Sequence, residues 1–308
     1  MANITAKEVA ELREMTGCGM MDCKRALVQA EGNKDEAVKI LREMGLAKSA
    51  KKAGRIAAEG VVKAKVVGSK GVIVEINCET DFCAKSDKFL ALVETITDTI
   101  MANDVADVEA LANVTAAGTD MKVADLMTEK IATIGENIKI RRFVKMEGTL
   151  IPYVHDGGRI GTLVKIETDK PEDAEVLECG KNVALQVTAL NAQFVDQASI
   201  PADVLANEKE VQMSILKKEN AESAKPKPDN ILEKMFDGRM RKYYEEVCLA
   251  DQKYFKEDSL SISQYVASVA KAQGASIKVV SFVRYERGEG IEKKEDDFAA
   301  EVAAMAKG

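Results

Sequence analysis

The sequence contains no tryptophan, and aromatic residues make up only 5% of its 308 positions. Its core must therefore be built from Ala, Val, Ile, Leu and Met. It has a single histidine, His155, which excludes a His-rich metal site and leaves little room for nucleophilic catalysis, and no Ser-His-Asp or Cys-His-Asn pattern of any specificity surrounds it. No stretch approaches the ~20 apolar residues of a membrane helix, so no membrane association is expected. The opening "MANITAKEVAELREMTG" lacks the apolar centre of a signal peptide. The expected location is cytoplasmic, where the six cysteines stay reduced. Positive charge is also in deficit, with 44 Lys and Arg against 51 Asp and Glu and a net charge of −7. Such a chain is poorly suited to neutralising phosphates, so direct nucleic-acid binding is not expected. "GSKG", "GCGMM" and "GEGIEKK" fit neither of the glycine patterns that cradle nucleotide phosphates. Neither a cofactor nor bond-making chemistry is implied, and the chain does not read as an enzyme.

What is present, 46% hydrophobic and 31% charged residues, suits a folded chain of two or three domains that meets other proteins. Residues 1–55 read as a three-helix unit and a basic linker. "TAKE" at 5–8 is a capping box, with Val9 and Leu12 giving the next helix an apolar face. "TGCG" at 16–19 ends that helix, and a second runs from about Met21 to Ala30. "NKDE" at 33–36 caps a third, carrying Ala37, Val38, Ile40, Leu41 and Met44 at helical spacing. "KSAKKAGR" at 48–55 reads as a solvated tether.

An internal repeat organises the rest. "EGVVKAKVVGSKGVIVEINCETD" (59–81) and "EGTLIPYVHDGGRIGTLVKIETD" (147–169) both start Glu-Gly and end Glu-Thr-Asp. Each has two β-rich runs around a glycine turn, the pattern of a hairpin. "IKIRRFVKME" (138–147) is echoed by "IKVVSFVRYE" (277–286), each a strand-like run. Helical segments separate hairpin from strand in both copies. The fold class is therefore α+β, with two related units, 56–146 and 147–287, each a three-stranded antiparallel sheet with helices on one face. The second unit contains an inserted helical hairpin at 201–244. Val204, Val211 and Ile215 mark one of its helices, Leu232, Met235, Phe236 and Tyr243 the other, and Pro226 and Pro228 lie in the turn. A terminal module, 288–308, places Phe298, Val302 and Met305 on one helical stripe that docks either on the chain itself or on a partner.

Two C-x4-C pairs, Cys18/Cys23 and Cys78/Cys83, raise the question of a metal. The pairs fall in different domains and Cys23 lies inside a helix, unlike the tight turns of zinc knuckles, so four-thiolate binding is disfavoured and free thiols are expected. Three surface features remain. Met20 and Met21 open a helix at a glycine-rich turn, where one of them belongs in the core and the other offers an adaptable contact. The Thr80-Asp81-Phe82 triplet follows a strand, with Phe82 either tucked into its own core or standing out as a plug. "IGEN" at 134–137 is a turn beside a strand. Because Glu-Thr-Asp recurs at 167–169, that triplet reads as the structural end of a strand, leaving Phe82 as the distinguishing residue.

In order along the chain, "TGCGMMDCKRAL", "NCETDFCAK", "IGENIKIRRF", "HDGGRIG", "GRM" and "GEGIEKKEDDFAAEVAAM" resemble the signatures of the bacterial elongation factor Ts family. The resemblance implies a ubiquitin-associated-like N-terminal domain, a core of two subdomains, a coiled-coil excursion and a C-terminal module. It implies guanine-nucleotide exchange on elongation factor Tu, the partner GTPase. On this resemblance Thr80, Asp81, Phe82 and Cys83 form the tip that disturbs the partner's Mg²⁺ site. Arg13, Met20, Met21 and Lys24 grip its nucleotide-binding domain, Ile134, Gly135, Glu136, Asn137 and His155 hold a second domain, and Met305 adds a terminal contact. Cys18 and Cys83 stand where the family more often has small or branched apolar residues. His155 lies one residue earlier than in some members. A homodimer through the helical excursion stays open, and a protein-binding adaptor without exchange activity is the alternative reading.

Overall fold

Three helices open the chain in this computed structural model, which describes residues 4–223 and 225–292. Helix α1 (Ala6–Thr16) starts at a complete capping box, Thr5 with Glu8. Helix α2 (Met20–Gln29) starts after Gly19, and α3 (Lys34–Lys52) starts where Asn33 accepts from Glu36 N. Leu12, Cys23, Ala26, Leu27 and Ala37 are fully buried between them. The basic stretch from Lys48 is not a free tether. It continues α3 to Lys52, Lys48 pairs with Asp22 at 2.5 Å, and Lys52 Nζ donates to the Gly135 carbonyl.

Strands β1 (Glu59–Val67) and β2 (Lys70–Cys78) form the first hairpin. Helices α4 (Asp81–Ala84), α5 (Asp87–Ala102), α6 (Val108–Ala112) and α7 (Val123–Ile134) follow, and β3 (Lys139–Glu147) pairs with β2. The second unit repeats the plan with β4 (Thr149–His155), β5 (Ile160–Thr168) and α8 (Ala174–Leu190). Helices α9 (Ala202–Glu222) and α10 (Asp229–Val247) come next, then a small ribbon of β6 (Lys253–Tyr254) and β7 (Glu257–Ser261), α11 (Ile262–Gln273) and β8 (Ile277–Glu286). The sheet orders are β1-β2-β3 and β4-β5-β8, all antiparallel.

Side-chain alternation explains the layering. Val72, Val74 and Ile76 of β2 join Phe89, Leu92 and Ile96 of α5 in one core, and Val164 and Ile166 of β5 join Val176 and Val183 of α8 in another. The opposite faces meet each other through Val62, Ile73, Leu150 and Leu163. The order is helices, sheet, sheet, helices, and β2 is buried on both sides.

The repeat holds, but the equal lengths of its two copies are misleading. Gly60 (φ 134°) and Gly148 (φ 127°) are equivalent at the starts of the hairpins. The first hairpin turns through Gly68-Ser69 and the second through Asp156–Arg159, two residues more. After the turn the correspondence therefore slips by two. The β-bulges fall at Glu75/Ile76 and Lys165/Ile166, and Asn137 N donates to Glu79 as Ser276 N donates to Asp169. The recurrent Glu-Thr-Asp is thus not one structural device. At 167–169 it straddles the end of β5, whereas at 79–81 it lies beyond β2 and opens α4.

The insertion is an antiparallel helix pair, turned by two hydrogen bonds between Asn220 and Lys227 and linked by Arg239 and Glu219. In α10 the expected stripe holds, with Leu232 buried and Met235, Phe236 and Tyr243 half-buried, but in α9 it does not. Val204, Val211 and Ile215 are exposed, and Leu216, Leu232 and Met240 are the buried residues. Phe298, Val302 and Met305 lie outside the described residues.

Candidate functional site

Beyond β2 the chain must turn sharply into α4, and the residues there supply the turn. Thr80 is the N-cap of α4 in extended conformation, and its Oγ1 accepts from Cys83 N at 3.1 Å. The same hydroxyl donates to Glu136 Oε1 at 2.6 Å, and Glu136 Oε2 accepts from Glu79 N and Thr80 N, both at 3.0 Å. In return, Glu79 Oε1 accepts from Asn137 N at 2.6 Å, and Arg55 Nη1 lies 3.4 Å from the Glu79 carboxylate. Each glutamate thus clasps the backbone of the other's segment, Glu136 at Glu79 and Thr80 and Glu79 at Asn137. Charge-assisted bonds of this kind are shorter and about twice as strong as neutral ones.

The loop that carries Glu136 is set by Gly135, which ends α7 at φ 93°, a left-handed cap that favours glycine. Ile134 packs partly against the first core. The Asn137 side chain is buried and donates to the Arg55 carbonyl at 2.7 Å, so it braces the loop from inside. Because Lys52 caps the Gly135 carbonyl, the three-helix unit is tied to the same loop.

On this platform Phe82 points outward. It is 84% exposed, the most of any large apolar side chain among the described residues. Of the two placements open to it, it takes the outward one. Its neighbours face other ways: Cys83 is buried and Asp81 pairs with Lys85 at 2.8 Å. That bond holds the Asp81 carboxyl below the usual carboxylate range. Beneath the turn, the Cys78 thiol donates to the Thr80 carbonyl at 3.2 Å. Its contact with the Cys83 thiol and its burial push it well above the ordinary thiol range. Cys78 Sγ, Cys83 Sγ and a Glu136 carboxylate oxygen all lie within 4.8 Å of one another.

Arg13, Met20, Met21 and Lys24 are all exposed on the three-helix unit. The expectation that one methionine belongs to the core fails: Met20 is 52% and Met21 64% exposed, because Cys23 and Leu27 fill the inner face of α2. Met15, 66% exposed on α1, joins the list of exposed methionines, and no motif had marked it. His155 ends β4 on the second sheet, exposed, with Tyr153 Oη at 3.2 Å from its Nδ1. The structure therefore brings 79–83 and 134–137 into one cluster and leaves His155 on a different hairpin. Glu79 and Arg55 went unremarked in the sequence because Glu79 reads there as the end of a strand.

No described helix is long and apolar enough to cross a membrane. All six cysteines are free.

A family model described as elongation factor TS matches residues 79–289. The elongation factor Ts of Syntrophotalea carbinolica is 45% identical over 99% of this chain and of its own. That of Clostridioides difficile is 46% identical over 100% of both, and that of Magnetococcus marinus 44% over 99% of both.

Proposed function

The chain belongs to the elongation factor Ts family, and from that premise we propose that it serves translation as a guanine-nucleotide exchange factor. It binds the GTPase elongation factor Tu, disturbs its Mg²⁺ site and promotes GDP release. The observation that carries this reading is Phe82, a large apolar side chain held in water on a braced turn. A side chain so placed contributes little to its own fold and keeps most of its apolar surface available for burial against a partner.

The physics is linkage. A protein that binds the empty GTPase more tightly than the loaded one weakens nucleotide binding by the same factor. Wedging Phe82 beside the elements that hold Mg²⁺ removes charge that retains the phosphates. Thr80 and Glu136 fix the tip so that little conformational entropy is lost on insertion. Asp81 and Cys83 complete the tip, and Ile134, Gly135, Glu136, Asn137 and His155 mark the region that holds a second domain of the partner, with the buried Asn137 bracing it from inside. The three-helix unit, read as ubiquitin-associated-like, grips the nucleotide-binding domain through Arg13, Met20, Met21 and Lys24. Exposed methionines suit such an adaptable contact. Met305 adds a terminal contact. No bond is made or broken, so the protein is not an enzyme, and its place of work is the cytoplasm.

The test is release of labelled GDP from elongation factor Tu with and without the full chain. Acceleration supports exchange. Binding with no change in GDP release would favour the adaptor reading.

A further inference from the structure

Four thiols from two domains do not come together, but one pair gains a partner the sequence pattern does not reveal. Cys78 closes β2 and Cys83 lies in α4, so the turn between them returns one thiol to the other. Glu136, from the loop after α7, completes a three-donor cluster whose ligand atoms all lie within 4.8 Å. We propose that Cys78, Cys83 and Glu136 form a binding site for one soft divalent cation of the zinc class, beneath the Phe82 tip.

The donor chemistry fits. Two thiolates and a carboxylate bring three negative charges to a dication, and thiolates select zinc-like ions over magnesium or calcium. Zn–S bonds of about 2.3 Å and Zn–O bonds of about 2.0–2.2 Å require tetrahedral ligand separations somewhat under 4 Å. Closing the cluster onto an ion therefore needs shifts of no more than about 1 Å. The outer shell is already built: Glu79 N, Thr80 N and Thr80 Oγ1 donate to Glu136 and fix its orientation, as outer-shell partners do for ligating carboxylates. Both thiols are buried, while Glu136 is partly exposed. The ion would enter on the Glu136 side, and a water there would fill the fourth position. On binding, each thiol releases its proton to solvent, and the Cys78 S–H donated to the Thr80 carbonyl is lost. The other pair differs: the Cys23 thiol is spent on Thr16 and the Cys18 carbonyl, with no carboxylate donor completing a cluster among the described residues.

The test is titration of the reduced, full-length protein with Co²⁺ under anaerobic conditions. The expected result is one equivalent bound, with thiolate-to-cobalt charge-transfer absorption and the strong visible bands of a tetrahedral ion. Cys83→Val, close in size to the thiol, abolishes the charge-transfer band, Glu136→Gln weakens affinity by about tenfold or more, and Cys18→Ala changes nothing. Cadmium NMR of the unsubstituted protein counts two sulfur ligands without relying on any variant. Absence of the charge-transfer band, its survival in Cys83→Val, or its loss in Cys18→Ala would overturn the site. Because none of these readouts involves GDP release, failure here leaves the exchange reading standing, and the reverse also holds.

Discussion

Replacing Phe82 by alanine separates folding from function more cleanly than any other change in this molecule. The ring is 84% exposed, and the structure around it is held by Thr80, Glu79 and Glu136, none of which uses the ring. Stability should therefore change by no more than about 0.5 kcal/mol, the range of ordinary surface substitutions. Full burial of a phenylalanine in a partner contributes about 1.5–3 kcal/mol. At about 1.4 kcal/mol per factor of ten, that corresponds to a loss of about 10- to 100-fold. How the loss divides is informative. If Phe82 is buried only once the nucleotide site has been disturbed, the maximal GDP-release rate falls. If it is buried equally in both states, only the half-saturating concentration rises. The proposed wedge predicts a lower maximal rate, measured by fluorescent GDP release over a concentration series of the variant, with an unchanged melting curve. An unaltered maximal rate, or a loss matched by a lower melting temperature, would refute the wedge.

Three further outcomes follow from the geometry. Glu136→Ala removes the acceptor of three hydrogen bonds from Glu79 and Thr80; hydrogen exchange at those two amides should quicken and GDP release should slow although Phe82 is intact. Gly60→Ala would set a Cβ 2.1 Å from the Ile76 carbonyl at φ 134°, and should cost about 2–3 kcal/mol in urea denaturation. Glu75 is fully buried between the sheets. Burial pushes its carboxyl up, but hydrogen bonds from Gly288 N, Arg141, Asn77 and Arg142 outweigh this and hold it below the usual range. A depressed native value means its contribution is present above the unfolded carboxyl pKa of about 4.3 and is lost as pH falls through the native value. Glu75→Gln should therefore cost about 3 kcal/mol at neutral pH, and its gap from the native protein should narrow in melts below about pH 4.

The hairpins and the third strands were legible because strand alternation and turn glycines are local signals, and because the chain states them twice. The caps at Thr5 and Asn33 were legible for the same reason. What escaped was set by tertiary contacts. The two extra residues in the second hairpin turn hid the true correspondence of the copies. Lys48 and Lys52 look like a solvated linker until Asp22 and the Gly135 carbonyl are placed beside them. Leu216 rather than Val204, Val211 and Ile215 faces inward, a choice that helical periodicity alone does not make for a helix largely surrounded by water. At the candidate site, Phe82 was marked as the residue that follows the recurrent Glu-Thr-Asp, but the clasp between Glu79 and Glu136 spans 57 positions and leaves no pattern in the sequence.

The central claim is tested most directly by GDP release from elongation factor Tu, measured with substoichiometric amounts of the reduced full-length protein. The account predicts that each molecule turns over many GTPases and that release is accelerated at every concentration tried. Tight binding of the protein to elongation factor Tu with an unchanged release rate would contradict it.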